Sequence, residues 1–88
     1  MNANRRKQLN EVIDRIAELN DLRNEIIDMI EVLRDDEEDA LYNLPDSIQE
    51  TDRGEAMQEA IDNMQNAIDE LDSIDTEAIA DYLAEAQA

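Results

Sequence analysis

Residues 44–54, LPDSIQETDRG, hold the only proline of the chain, Pro45, and its only glycine, Gly54. No other stretch resembles a turn. On its N-terminal side, residues 4–43 carry neither breaker and are rich in good helix formers, which predicts one uninterrupted helix of about 40 residues, roughly 60 Å long. That helix must stop before Pro45, because the residue preceding a proline is driven out of the α region. On the other side, Thr51 is placed to cap a second helix over about 52–86, with Asp52 and Glu55 in its positive first turn. Between them, in a turn over 44–51, Ser47 to Glu50 reads as a capping box for one short helical turn, with Ile48 plugging the end of the core. The weak point of the second helix is DSIDTE at residues 72–77, where Ser73, Asp75 and Thr76 can break it and cap a short third helix. A continuous helix is the simpler expectation.

Both long segments are amphipathic. Leu9, Val12, Ile16, Leu19, Ile26, Ile30 and Leu33 step by threes and fours, with Arg23 filling one step, and Ile13, Leu22, Ile27 and Met29 widen the stripe to three or four positions per heptad. A stripe that broad suits a helix packed against more than one neighbour. Met57, Ile61, Met64, Ile68, Leu71, Ala78 and Tyr82 repeat the pattern in the second segment, alongside Ala60, Ala67 and Ile74. Met29, Met57 and Met64 read as core, and Tyr42 and Tyr82 as packing at its edge. Two matched helices and one short turn predict an all-α fold: an antiparallel, coiled-coil-like two-helix hairpin forming a single domain over residues 1–88.

Levelling the two ends of the turn places Ile26 near Ile68, Ile30 near Met64 and Leu33 near Ile61, and brings Arg23 beside Asp72 and Asp75. Arg23 and Asp75 are the two charges that interrupt apolar stripes, and either would be costly if buried alone. They read either as a pair that pins the register or as two solvated residues at the edge of the seam. Ile13, Leu22, Ile27, Met29, Leu41, Ile74 and Ile79 flank the seam, more apolar surface than a soluble monomer leaves open. A homodimer closing a four-helix bundle is the expected remedy.

Composition bounds the chemistry. The 88 residues include no Cys, His, Trp or Phe, and 25 acidic against 7 basic residues give a formal net charge of -18. Without thiolate or imidazole, and with Ser47, Thr51, Ser73 and Thr76 explained as caps and turns, no enzyme, cofactor or metal is expected. The charge is uneven. Residues 1–34 hold six basic and seven acidic residues, whereas residues 35–88 hold one basic residue, Arg53, and eighteen acidic ones. The run Asp35, Asp36, Glu37, Glu38, Asp39 lies late in a helix, where the dipole disfavours anions, and Asp35 faces Asp39 one turn on. Helical stability does not account for it.

Three readings remain for that surface. Net charge gives solubility, though scattered charge would do so. Clustered carboxylates attract divalent cations, but the spaced loop of an EF-hand is missing. The third reading is that the acids stand in for a nucleic-acid backbone: on the second helix Glu55, Asp62 and Asp69 recur every seven residues, roughly 10.5 Å apart, with Glu59 and Glu70 among them, close to three phosphate steps of ~3.4 Å along one strand. Asp35, Asp36, Glu38, Asp39, Glu55, Glu59, Asp62, Asp69 and Glu70 are the candidate partner-binding residues.

The stretch YNLPDSIQETDRGEAMQEAIDNMQNAIDEL, preceded by NRRKQLNEVIDRI, resembles small acidic helical proteins of bacteriophages and other bacterial mobile elements. In size, acidity and lack of His and Cys the chain also looks like the phage DNA mimics that block restriction enzymes or CRISPR effectors, a group united by charge and not by fold. That resemblance implies an anti-defence inhibitor acting in the host cytoplasm on a basic nucleic-acid-binding protein. The hairpin shape is similar to that of the secreted WXG proteins, whose Trp-x-Gly turn is absent here. No direct nucleic-acid binding and no membrane contact are expected: Arg5, Arg6 and Lys7 should lie near Glu85, and no apolar run approaches the ~20 residues that span a bilayer. MNANRRKQ leads straight into an amphipathic helix with no sign of a signal peptide, so a cytoplasmic protein is expected. The competing function is a structural or regulatory homo-oligomeric coiled coil whose charge serves solubility.

Overall fold

A computed structural model describes every residue, Met1–Ala88, and is all-helical. Its elements are α1 (Ala3–Tyr42), α2 (Asp46–Gln49), α3 (Asp52–Asp72) and α4 (Thr76–Glu85). The chain divides into two compact units, one of Met1–Glu25 with Ile74–Ala88 and one of Ile26–Ser73, and α1 runs through both. No helix is long and apolar enough to cross a membrane.

α1 is the unbroken helix its composition predicts. Asn2 starts it, its side-chain oxygen accepting from the Arg5 backbone N–H at 2.9 Å. It unwinds ahead of Pro45 through the Leu44 N–H, which donates to the Leu41 carbonyl at 3.1 Å. The capping box at Ser47 to Glu50 does not form. α2 begins two residues earlier than that box requires, at Asp46, with Pro45 as N-cap and no side-chain cap. The Pro45 carbonyl accepts from the N–H groups of Ile48 and Gln49 at 2.8 and 3.1 Å, so backbone alone supplies what the side chains were expected to give. Thr51 does hold the N-cap position of α3, but its hydroxyl points back and donates to the Ile48 carbonyl.

Gly54 sits in the first turn of α3, inside the expected bounds of the second helix, buried and with no positive φ. Its role is steric. A Cβ there would lie 2.0 Å from the Gln49 carbonyl oxygen, so α2 and α3 touch backbone to backbone at this point. Gln49 is anchored on its other side, its amide donating to the Leu44 carbonyl at 2.8 Å.

The second helix is not continuous. α3 ends at Asp72, and Asp75 caps α4 by accepting from the Ala78 N–H at 2.9 Å. Ser73 donates its hydroxyl to the Glu70 carbonyl at 2.6 Å, closing the end of α3. A short side chain at each side of the gap thus competes with the helical ladder and wins.

The inward face of α1 is also turned from the expected one. Leu9, Ile13, Ile16, Asn20, Arg23, Ile27, Ile30, Arg34 and Leu41 are sheltered, whereas Val12, Leu19, Ile26 and Leu33 are exposed. Met29, expected in the core, is 65% exposed, and Tyr42 and Tyr82 are more than 70% exposed. In α4, Thr76, Ala80 and Leu83 turn inward in place of Tyr82, because the break resets the helical phase. Burial is shallow: only Leu41, Ile61 and Ile68 among the apolar side chains are buried, and no large side chain is fully enclosed.

In the unit of Met1–Glu25 and Ile74–Ala88, Thr76 is buried and donates to the Asn20 side-chain oxygen at 2.9 Å. Arg23 donates to the same oxygen and to the Ile74 carbonyl. Of the two readings of Arg23 and Asp75, the ion pair does not form, since the Asp75 carboxylate caps α4, and Arg23 is not left to solvent either, taking a carbonyl left free by the helix break. The Arg23 Nε is buried without a partner. At the far end of this unit, Arg6 donates to the Gln87 carbonyl at 3.1 Å and not to Glu85.

Candidate partner-binding surface

All nine candidate acids fall in the unit Ile26–Ser73, which carries sixteen acidic and two basic side chains. Asp35, Asp36, Glu38 and Asp39 lie on the last part of α1, and Glu55, Glu59, Asp62, Asp69 and Glu70 on α3. Glu38 is half-buried and the other eight are exposed. Seven-residue spacing within one helix keeps Glu55, Asp62 and Asp69 on one side of α3, because seven residues come close to two full turns.

Three of these carboxylates are held. The Arg34 guanidinium contacts Asp35 through both Nε and Nη2, at 3.2 and 3.0 Å. Its Nη1 donates to the Gln65 side-chain oxygen at 2.6 Å, and the Gln65 amide in turn donates to Asp69 at 2.9 Å. One chain of hydrogen bonds, Asp35 to Arg34 to Gln65 to Asp69, therefore ties an acid of α1 to an acid of α3. The Arg34 side chain is only 22% exposed, so water competes weakly for its bond to Gln65, whereas the carboxylates at the two ends, Asp35 and Asp69, stay open to solvent. Asp62 is held separately, accepting from the Gln58 amide at 3.0 Å one turn back.

Neither Arg34 nor Gln65 is singled out by sequence as a site residue. A signal was there: Asn20, Arg23, Ile27, Ile30 and Arg34 continue one heptad row, so Arg34 stands at an inward position where a charge needs partners. Asp36, Asp39, Glu55, Glu59 and Glu70 stand where the sequence puts them, on solvent-facing positions. The register residues Arg23 and Asp75 belong to the other unit and serve the α4 junction described above. No group of three or more acidic side chains converges closely enough to share a metal ion.

The surface presents a set of carboxylate acceptors on helices, three of them, Asp35, Asp62 and Asp69, held by neighbouring amides and a guanidinium. No protein-family model, no curated protein and no solved structure matches this chain.

Proposed function

We propose that the chain is a non-enzymatic acidic interaction protein whose carboxylates occupy the basic groove of a nucleic-acid-binding protein in place of backbone phosphates. The Asp35–Arg34–Gln65–Asp69 network carries this reading. Carboxylates fixed before binding lose less entropy on association than those of a loose acidic tail, and the surrounding negative field would speed encounter with a cationic partner. The target class implied by resemblance is a host defence protein that handles nucleic acid.

The supporting architecture we propose is an antiparallel hairpin dimerising into a four-helix bundle. Within the unit of Met1–Glu25 and Ile74–Ala88, bonds between Asn10 and Gln87, Asn20 and Thr76, and Arg23 and Ile74 pair rising numbers with falling ones, which supports that direction.

Capture from a bacterial lysate, with and without competing duplex DNA, tests the function. A nucleic-acid-binding protein should be retained and displaced by DNA. Its affinity should fall steeply with salt and be lost when Asp35, Asp36, Glu38 and Asp39 become amides. Gln65→Leu, which leaves the net charge unchanged, should also weaken binding. Retention that DNA does not displace would refute the reading. A second reading, homo-oligomeric assembly, is favoured by the exposed apolar row on α1.

A further inference from the structure

The row left open on α1 is regular. Val12, Leu19, Leu22, Ile26, Met29 and Leu33 are 36–65% exposed and follow one another in steps of three and four, with Arg15 filling the step between Val12 and Leu19. Continued outward with the same steps, the row passes through Gln8 and Arg5 at one end and Asp36 at the other. This is the a/d pattern of a coiled-coil seam, beside the sheltered row and distinct from it.

We infer that this seam binds the α1 helix of a second copy, antiparallel, in the register that sets Leu19 against Leu22 of the partner copy. The inference deepens the assembly reading above and rests on it. Charge decides the direction. In a parallel pair each residue meets its own equivalent, stacking Arg5 on Arg5, Arg15 on Arg15 and Asp36 on Asp36 in three like-charged layers. The antiparallel register removes all three. It matches Arg5 with Asp36, Gln8 with Leu33, Val12 with Met29 and Arg15 with Ile26, and two-fold symmetry repeats each layer. The cationic start of one helix, Arg5, Arg6 and Lys7, then lies along the acidic run at 35–39 of the other. Arg15 crosses an apolar layer with its alkyl stem and keeps its head outside with Glu18, its 3.0 Å partner.

Area agrees. Six aliphatic side chains at these exposures present on the order of 500 Å² of apolar surface, the upper end of what a monomer leaves open, and two copies reach the ~1,000 Å² expected of a specific interface.

The native chain should run in light scattering at twice its mass of 10.1 kDa. Leu22→Asp should raise the dissociation constant on the order of a hundredfold or more while leaving helical circular dichroism unchanged, because Leu22 is already half in water. Direction is read by disulfide trapping, since the chain has no cysteine of its own. Mixed Gln8→Cys and Leu33→Cys proteins should cross-link to each other in preference to themselves. A native monomer would overturn both this inference and the assembly reading. A dimer that survives Leu22→Asp, or that traps Gln8→Cys with itself, would overturn the seam alone.

Discussion

Gly54→Ala sets two effects of opposite sign against each other. Within a helix, replacing glycine by alanine ordinarily gains about 1 kcal/mol through the unfolded chain's lost freedom and better helix propensity. Here the new Cβ would stand 2.0, 2.5 and 2.7 Å from the Gln49 oxygen, carbonyl carbon and Cα. All three are backbone atoms, so no side-chain rotation relieves the contact, and α2 would have to retreat by roughly 1 Å or more to reach a tolerable distance. That retreat pulls on the Gln49 amide bond to Leu44 and the Gln49 N–H bond to Pro45. Overpacking of this kind costs about 2 kcal/mol, and loosening two hydrogen bonds about 0.5 kcal/mol each, so the loss outweighs the propensity gain by about 2 kcal/mol. For a domain of this size that lowers the melting midpoint by roughly 8–16 °C. Thermal and urea unfolding at one fixed protein concentration, followed by circular dichroism, measure it. A midpoint equal to or above that of the native protein would show that α2 does not seat against α3 at this glycine.

Other expectations rest on single contacts. Asp75→Ala should cost about 1 kcal/mol by removing the α4 cap, while Asp75→Asn, which keeps an acceptor, should cost much less; equal losses would mean that the charge and not the cap matters. Thr76→Val should lower stability by about 1 kcal/mol, since it buries a methyl where a hydroxyl served Asn20, and an unchanged urea midpoint would contradict that bond. Asp39→Asn should raise stability by a few tenths of a kcal/mol by relieving repulsion from Asp35 and the unfavourable helix end, visible as a small upward shift in melting. Added sodium chloride should stabilise the native protein, because screening weakens the self-repulsion of eighteen excess negative charges. A falling midpoint would place the balance with favourable ion pairs.

The length of α1 and the position of the turn were legible from one residue, Pro45, and from the absence of any breaker before it. The inward face was not. With three or four apolar positions in each heptad of α1, periodicity marks a wide stripe without telling which half is covered. The half that is covered contains Asn20, Arg23 and Arg34, which polarity alone ranks as the worse choice. Their partners, Thr76, the Ile74 carbonyl and Gln65, lie more than thirty residues away and only appear once the chain folds. The break at 73–75 was visible as a possibility, yet choosing it required knowing that a carbonyl there would find Arg23. The acids were legible as a cluster, whereas the bonds that hold Asp35 and Asp69 were not, because Gln65 carries no charge to draw the eye.

Since even Ile61 and Ile68 remain 5–6% open to solvent, the molecule has no sealed interior. Trimming an inner side chain leaves a dent that water can enter in place of a closed void, so the penalty should stay near the low end of the usual range for large-to-small changes. A scaffold of this type can exchange one aliphatic residue for another at most inner positions and keep its shape. Its least replaceable parts are then the small and polar ones: Gly54, Asn20, Arg34 and Thr76.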